Sequence, residues 1–353
     1  CKRRQHWSRH DRYPAKFAKT TGLALFAAAL LSAAPVRAEA TEVGFSELRI
    51  ANGQEKPLVV GVWYPTGAPA QDHPLGAYVQ TVAPSAPVAG EHLPLIVMSH
   101  GNGGNYQNNY DTALALAKAG FVAVAVSHTG DTHEDQSRAV YVMDRPQHMH
   151  RLIDYMLSEW PDHTRLDAGR VGVFGFSIGG FTALVAVGGI PDLSFTEAHA
   201  KAHPEYYDAQ VAKRSGASPE ALAMLRSKLP ASTWVHDSRI KAAVVAAPAL
   251  GYTFGREGMK DVTVPVQLWR AAEDHILPHP DYAEAVRIAL PAPPEYHVVD
   301  NADHFDFLAP CTDMLRQVAP MICVSRSGFD RTRFHQTFNA EVVRFFQETL
   351  KVK

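Results

Sequence analysis

The chain has 353 residues, enough for one large α/β domain or two smaller ones. Its formal net charge is −2, but residues 1–38 carry eight of the 34 Lys and Arg residues and one of the 36 acidic residues, so the remainder has a charge of about −9. An acidic body of this kind argues against nucleic-acid binding, which needs clustered Lys and Arg, and gives no reason to expect attraction to an anionic membrane surface.

Residues 1–38 have the pattern of a secretory signal peptide. A basic segment is followed by an apolar stretch, 22–31, and then by small residues. Both 36–38 and 38–40 fit a small-x-small cleavage site. An uncleaved membrane anchor is the alternative, which we disfavour because about 14 apolar and small residues are few for spanning a bilayer. We therefore predict an exported bacterial protein, periplasmic or secreted, whose mature domain begins at residue 39 and keeps no stable membrane anchor.

After this segment, strand and helix patterns alternate. Two strands, 44–50 and 58–65, are predicted to pair around a turn at Asn52-Gly53, and the Pro-, Ala- and Gly-rich residues 66–92 are predicted to form a surface loop. Further strands are predicted at 93–99, 121–126, 170–174, 240–246, 264–269 and 296–299, and helices at 110–119, 145–159, 180–187, 280–289 and 333–350. Unbroken Val, Ile and Ala runs between helices predict an α/β fold with a mostly parallel, twisted sheet covered on both faces.

Residues 190–238 interrupt this alternation. They are polar, carry several His and Lys residues and have a helical pattern. We predict a helical insertion over the carboxyl edge of the sheet, where a lid would lie. A peripheral excursion with no role at the site is the alternative.

The pentapeptide 175–179, Gly-Phe-Ser-Ile-Gly, stands between a buried strand and a helix of small residues. Strand, Gly-x-Ser-x-Gly and helix together are the context of a nucleophile elbow, in which the serine hydroxyl is presented above the end of the strand. The flanking glycines permit a strained backbone at the serine by removing side-chain bulk. We predict that Ser177 is a catalytic nucleophile.

A serine hydroxyl needs a general base, and the base needs a carboxylate that holds its tautomer. Enzymes with such an elbow place the acid and then the base after late strands. Asp274 follows the strand 264–269, and His304 follows the strand 296–299. We predict that these two residues complete a triad with Ser177. Alternative acids are Glu273 and Asp303, and alternative bases are His275 and His279.

An oxyanion hole needs two backbone N–H donors. The N–H of Ile178 is the expected first donor. The glycine-rich stretch 99–105 directly follows an early strand, and we predict that Asn102 N–H is the second donor, with Gly101 as the alternative. A plain turn or a phosphate cradle is also conceivable for this stretch, but it lacks the Gly-Lys-Ser/Thr ending of a P-loop.

We expect neither a cofactor nor a metal. The loop 128–135, with two histidines and three acidic residues, offers an alternative metal site, but such a loop is more often solvated or substrate-facing.

Cys311 and Cys323 remain after signal removal, and in an oxidising compartment an even pair indicates a disulfide. Two buried free thiols are the alternative.

Taken together, the motifs resemble the α/β-hydrolase superfamily over the whole mature region. The residues that carry this resemblance lie at 62–65, 99–104, 175–180 and 304–311. More narrowly, the chain resembles bacterial dienelactone-hydrolase-like proteins related to the platelet-activating-factor acetylhydrolase group. Dienelactone hydrolases proper use a cysteine nucleophile, whereas this chain has Ser177. The resemblance to the acetylhydrolases implies short acyl esters and a Ser-Asp-His triad.

These observations predict a serine carboxylic-ester hydrolase that acts on small or short-acyl esters through an acyl-enzyme. An amidase or peptidase with the same triad is one alternative. A non-catalytic binding protein with the α/β-hydrolase fold is another, although such proteins usually lack a triad member. The sequence predicts a small-molecule ester as the partner and leaves the oligomeric state open.

Overall fold

The computed structural model describes residues 42–206, 210–211 and 216–351. The predicted signal peptide, its cleavage site and part of the predicted insertion lie outside the described residues. Across these described ranges, no helix combines the length and the apolar character needed to cross a membrane.

A mixed sheet forms the centre of the described part. Its strands are β1 Glu42–Asn52, β2 Glu55–Thr66, β3 Gln71–Leu75, β4 Tyr78–Pro84, β5 Leu93–Ser99, β6 Val122–Ser127, β7 Leu166–Phe176, β8 Ile240–Ala246, β9 Val266–Ala271 and β10 Glu295–Val299. They lie in the order β10-β9-β8-β7-β5-β6-β2-β1-β4-β3. From β10 to β6 all neighbours are parallel, and β2 is antiparallel to both β6 and β1. The sheet is therefore mostly parallel, as predicted.

Helices cover both faces of this sheet. They are α1 Tyr110–Lys118, α2 Asp144–Ser158, α3 Ile178–Ala186, α4 Phe195–Ala202, α5 Pro219–Leu225, α6 Arg256–Met259, α7 Ala283–Ala289, α8 Asp313–Val318 and α9 Arg331–Thr349. Apolar side chains of α2, α3 and α7 contribute to the core on one face. Those of α1 and α9 contribute to the core on the other face. This two-sided burial explains the continuous apolar character of the central strands.

The order of the strands reverses at β5, which lies between β6 and β7. Ser99 at the end of β5 is in register with Gly175 near the end of β7. The loops that follow these two strands therefore meet at the carboxyl edge of the sheet. Open α/β sheets bind their ligands at such a topological switch point.

The predicted N-terminal hairpin is confirmed, because β1 and β2 pair antiparallel around Asn52. The prediction of a surface loop over 66–92 is wrong in part, since β3 and β4 form a second hairpin there. In β4, Tyr78 and Val82 are buried while Val79 is exposed. This alternation is typical of a strand with one covered face, but the surrounding Pro, Ala and Gly residues obscured it.

The insertion that follows α3 is helical, as predicted. It contains α4 and α5, and α5 is capped at its N-terminus by the Ser218 side chain, which accepts a hydrogen bond from Ala221 N–H. Its role as a lid stays a prediction.

Candidate active site

Ser177 occupies a strained turn between β7 and α3. Its φ and ψ are 57° and −120°, in a region that non-glycine residues rarely adopt. A Cβ at Gly175 would lie 2.0 Å from the carbonyl oxygen of Gly179, and a Cβ at Gly179 would lie 2.1 Å from that of Ser99. Only glycine fits at both positions, and the close packing holds the serine in this conformation.

The structure brings the three predicted triad side chains together. His304 Nε2 lies 3.0 Å from Ser177 Oγ, and His304 Nδ1 lies 2.8 Å from Asp274 Oδ2. All three residues are buried. Both ring nitrogens of one histidine thus connect a hydroxyl to a carboxylate in a single hydrogen-bonded chain, although the three residues come from loops far apart in sequence.

The acid and the base are each held by local backbone contacts. Asp274 Oδ1 accepts hydrogen bonds from Ile276 N–H and Leu277 N–H, at 3.0 and 2.7 Å, which leaves Oδ2 facing the histidine. His304 begins a short 3-10 helix, and its N–H donates to the Asp303 side chain at 2.7 Å. Both side chains are therefore oriented by the chain that carries them.

The alternative acids and bases occupy other positions. Asp303 caps the His304 turn and lies 2.5 Å from Nδ1 of His275, whose side chain is mostly exposed. Glu273 is directed toward Arg326, 4.0 Å away. His279 lies with Asp274 along the edge of a small separate cavity. None of these four residues contacts the Ser177 hydroxyl.

The glycine-rich loop after β5 lies beside the serine. A Cβ at Gly101 would be 3.4 Å from Ser177 Cβ, and Asn102 lines the cavities on both sides of the serine. On the other side, Ile178 is the first residue of α3, and the first N–H groups of a helix have no partner within it. Both predicted oxyanion donors thus belong to segments that border Ser177.

A buried ion pair between Asp131 and Arg145 holds the 100–103 part of this loop. Asp131 Oδ1 accepts hydrogen bonds from the Asn102 side-chain amide at 2.8 Å and from Gly103 N–H at 2.9 Å. Its other oxygen pairs with Arg145 of α2, which also donates to the carbonyl of His100 at 2.8 Å. In the sequence, Arg145 is only the first residue of a predicted helix, and no pattern indicates its pairing with Asp131.

Three histidines adjoin the ion pair in a neutral cluster. His128 N–H donates to His100 Nε2 at 3.0 Å, so the Nδ1–H of His100 donates to the carbonyl of Gly101. Burial, and secondly the charge of Arg145, lowers the pKa of His100 to about 3. Burial likewise lowers the pKa of His128 well below its usual value and that of His148 to about 3.

The prediction that the loop 128–135 is solvated or substrate-facing is wrong for its first half. His128 and Asp131 are buried and directed inward: the Asp131 carboxylate accepts from Gly103 N–H, and Nε2 of His128 lies 2.8 Å from Ser99 Oγ. His133 and Glu134 are exposed, as expected for a solvated segment.

Two cavities meet at Ser177. The first is lined mainly by aliphatic side chains from the 139–142 segment, the insertion and the loop after Asp274. The second is more polar and is lined by the 101–104 loop, His304 and Phe305. A molecule whose reactive carbonyl reached Ser177 would place its two halves in chemically different surroundings.

A disulfide joins Cys311 to Cys323, with Cα atoms 5.7 Å apart, as predicted. Residue Ile322, next to this bond, lines the polar cavity. The bond therefore restrains a segment of the cavity wall.

Comparisons with known proteins bear on the family and the fold. Residues 79–230, less than half of the chain, match the model of the dienelactone hydrolase family. No curated protein matches the sequence significantly. Among solved structures, the chain is similar to a ferulic acid esterase from Streptomyces cinnamoneus, with a TM-score of 0.58 and 19% identity over 91% of this chain and 93% of that one. At this identity the structural match supports the shared fold.

Proposed function

We propose that this chain, an α/β hydrolase related to the dienelactone hydrolase family, is a serine carboxylic-ester hydrolase. The observation that carries the proposal is the hydrogen-bonded chain from Ser177 Oγ through His304 to Asp274, with distances of 3.0 and 2.8 Å. An arrangement of this kind increases the nucleophilicity of a serine at neutral pH.

In the proposed reaction, Ser177 Oγ attacks the ester carbonyl while His304 Nε2 takes the hydroxyl proton. Asp274 keeps the Nδ1–H of His304 in place and stabilises the imidazolium. The protonated histidine then donates to the leaving alkoxide as the carbon–oxygen ester bond breaks, which leaves an acyl-enzyme. A water molecule, deprotonated by His304, attacks the acyl-enzyme and releases the acid and the free serine.

The tetrahedral intermediates carry a negative oxygen that needs donors already in position. We assign this task to the N–H groups of Ile178 and Asn102. The first lies at the N-terminus of α3, where the helix dipole favours negative charge. The second lies in the loop that Asp131 holds through Asn102 and Gly103.

The two cavities suggest how an ester would lie. We assign the acyl group to the aliphatic cavity and the alcohol to the polar cavity beside His304, where the leaving oxygen must receive a proton. Aliphatic lining favours a small or short alkyl acyl group through apolar burial.

A fluorophosphonate probe tests the nucleophile. The mature protein should be labelled at one serine, and Ser177→Ala should not be labelled at all. Asn105→Ala, in the loop after β5 but outside the triad, is a control that should be labelled like the wild type. Absence of labelling in folded wild-type protein, judged by circular dichroism, would refute a serine hydrolase and leave a binding protein.

A substrate panel separates ester from amide hydrolysis. We expect turnover of p-nitrophenyl acetate, butyrate and octanoate, and turnover lower by orders of magnitude for the matching anilides. Methyl ferulate belongs in the panel because the structurally similar protein is a ferulic acid esterase. Preference for the anilides would replace this proposal with an amidase.

Export is part of the proposal and is supported by the basic and apolar pattern of residues 1–38 and by the disulfide. Mass spectrometry of the exported protein should give Glu39 or Thr41 as its first residue. Retention of residues 22–31 would instead indicate a membrane anchor.

A further inference from the structure

A group of possible metal ligands lies between the insertion and the loop that follows the proposed acid. His199 of α4, His203 just after α4, and Asp281 offer ligand atoms that all lie within 4.8 Å of one another. The Nε2 atoms of the two histidines lie 3.5 and 3.6 Å from the same oxygen, Asp281 Oδ2. Two imidazoles and one carboxylate are the donor types that zinc and its neighbours in the first transition row prefer.

These distances fit a tetrahedral ion. With metal–nitrogen and metal–oxygen bonds of about 2.0–2.1 Å, neighbouring ligand atoms of a tetrahedron are separated by about 3.3–3.4 Å. The Nε2–Oδ2 distances of 3.5 and 3.6 Å exceed this only slightly. An ion could therefore bind with small side-chain rotations and keep a fourth position for water.

The spacing of the two histidines also follows from the helix. Residues four apart lie on the same helical face, and the N–H of His203 still donates to the carbonyl of His199 at 2.9 Å. The Asp281 carboxylate reaches this face from a different segment. The ligand set is thus built from two parts of the chain, which distinguishes it from a chance pair on one helix.

Aromatic rings hold both imidazoles in place. His199 stacks on Tyr252 with centroids 3.7 Å apart, and His203 stacks on Tyr206 at 4.4 Å. The His199 side chain is only 10% exposed. Because the stacked rings already restrict side-chain rotation, the two histidines would lose less conformational entropy when a metal binds. The Glu205 carboxylate lies 3.8 Å from Nδ1 of His203 and adds a second negative charge beside the group, which favours a cation.

A second group of possible ligands, Glu295, His297 and Glu341, already has a cationic side chain between its carboxylates. Arg344 forms ion pairs with both of its glutamates, and His297 Nε2 lies 2.7 Å from Glu295. A cation there would have to displace a guanidinium that already balances the carboxylates. This group therefore serves as a matched control.

We propose that His199, His203 and Asp281 form a zinc site that fastens the insertion to the loop after Asp274. The aliphatic cavity beside Ser177 is lined by residues of these same two segments, Leu225 of the insertion and Leu277 of the loop. A bound ion would restrain the distance between the segments and hence the wall of that cavity. The segment 199–203 has no Glu after its first His, so the site lacks the general base of the zinc peptidase motif.

The test uses untagged mature protein that has been treated with EDTA and then dialysed. Calorimetric titration with ZnCl2 should give one saturable site per chain, and zinc should raise Tm in a manner that saturates. Cobalt(II) should produce the strong visible absorption of a tetrahedral site, and zinc should remove it. Mg²⁺ and Ca²⁺, which prefer oxygen ligands, should not compete.

Two glutamine variants distinguish this site from the second group. In His203→Gln the zinc dissociation constant should rise at least about tenfold and the cobalt spectrum should disappear. His203 is partly exposed, so the variant should keep the wild-type Tm in EDTA, and Asp281→Asn provides an independent check. His297→Gln should bind zinc like the wild type. Absence of saturable binding in the wild type, equal binding in His203→Gln, or loss of binding in His297→Gln would each overturn the proposal. Every readout is independent of esterase activity.

Discussion

Two nitrogens of Arg145, Nε and Nη2, converge on one oxygen of Asp131 at 2.9 and 2.8 Å, and both side chains are almost entirely buried. The opposite oxygen of the carboxylate is thereby left for Asn102 and Gly103. A buried ion pair contributes little net stability, but it is sensitive to the loss of a partner. Its consequence here is that the loop beside Ser177 has one defined position.

Asn102→Ala tests this relationship. The variant keeps the backbone N–H assigned to the oxyanion but loses the side-chain anchor to Asp131. We expect kcat to fall by about tenfold, less than the 10²–10³ typical for removal of an oxyanion donor, while KM changes little. The free energy of unfolding should fall by about 1 kcal/mol, as for one lost hydrogen bond.

Asn105→Ala is the matched control for that variant. Asn105 accepts a hydrogen bond from Gln107 N–H in the same loop but does not contact Asp131. It should lose similar stability and keep kcat within about twofold. Equal effects of the two variants on kcat would show that the Asn102 anchor has no specific role in positioning.

Replacement of Asp274 by Asn should disable the proposed base without unfolding the protein. The asparagine keeps the acceptor for Ile276 and Leu277 N–H, but its amide cannot hold the Nδ1–H tautomer of His304. The corresponding change in a serine protease lowers kcat by about 10⁴, and we expect a loss of that order for ester turnover. Glu273→Gln, one residue away, should leave kcat unchanged. A large loss in Glu273→Gln together with an active Asp274→Asn would reassign the acid.

Most of the fold follows from patterns that are local in sequence. The central strands were predictable because both faces are buried, which makes them continuously apolar, and the elbow was predictable because strand, glycines and helix are adjacent. The β3–β4 hairpin was not predictable. The segment is rich in Pro and Gly, and it becomes a buried strand pair only because β4 pairs with β1, which lies some 40 residues earlier.

The same distinction applies to the candidate site. Ser177, Asp274 and His304 could be located because chain order and strand ends restrict their positions. Asp131 and Arg145 could not be located from the sequence. Their pairing requires that the Asp131 side of one loop and the Arg145 side of α2 both face the interior. Tertiary packing decides that orientation, and a polar loop gives no periodic signal of it.

The buried histidines make stability depend on pH. The pKa of His100 and that of His148 are about 3 in the folded protein, whereas an unfolded histidine has a pKa of about 6.5. Between these values the unfolded chain binds protons that the folded chain does not. The free energy of unfolding should therefore decrease as pH falls below about 6.5, by up to about 1.4 kcal/mol per pH unit for each histidine. Urea denaturation at about pH 7.5, 6 and 5 measures this slope.

Two variants identify the groups responsible. His148→Gln removes one of the buried groups, so its slope between pH 6 and 5 should be smaller than that of the wild type. His133→Gln removes an exposed histidine and should keep the wild-type slope. An unchanged slope in His148→Gln would mean that other groups cause the acid sensitivity.

Loss of the disulfide should destabilise the protein. The double variant Cys311→Ser and Cys323→Ser opens a loop whose ends are 12 positions apart. Chain-entropy reasoning gives about 3 kcal/mol for a loop of this size, measured as a lower urea midpoint. Reduction of the wild type with dithiothreitol should give the same shift, and the double variant should not respond to the reductant. A response in the variant would attribute the effect to something other than this bond.

The aliphatic cavity should control the length of the acyl group. Ala139 is a buried residue of its wall, and Ala139→Phe would fill part of the space next to Ser177. We expect kcat/KM for the octanoate ester to fall about tenfold or more, because each displaced methylene contributes about 1 kcal/mol, while acetate turnover stays within about twofold.

Leu308→Phe is the control for this variant. It narrows the polar cavity instead and should alter the dependence on the leaving alcohol but not the chain-length profile. If Leu308→Phe alone changed the chain-length profile, the acyl group would occupy the polar cavity, and the orientation proposed for the ester would be reversed.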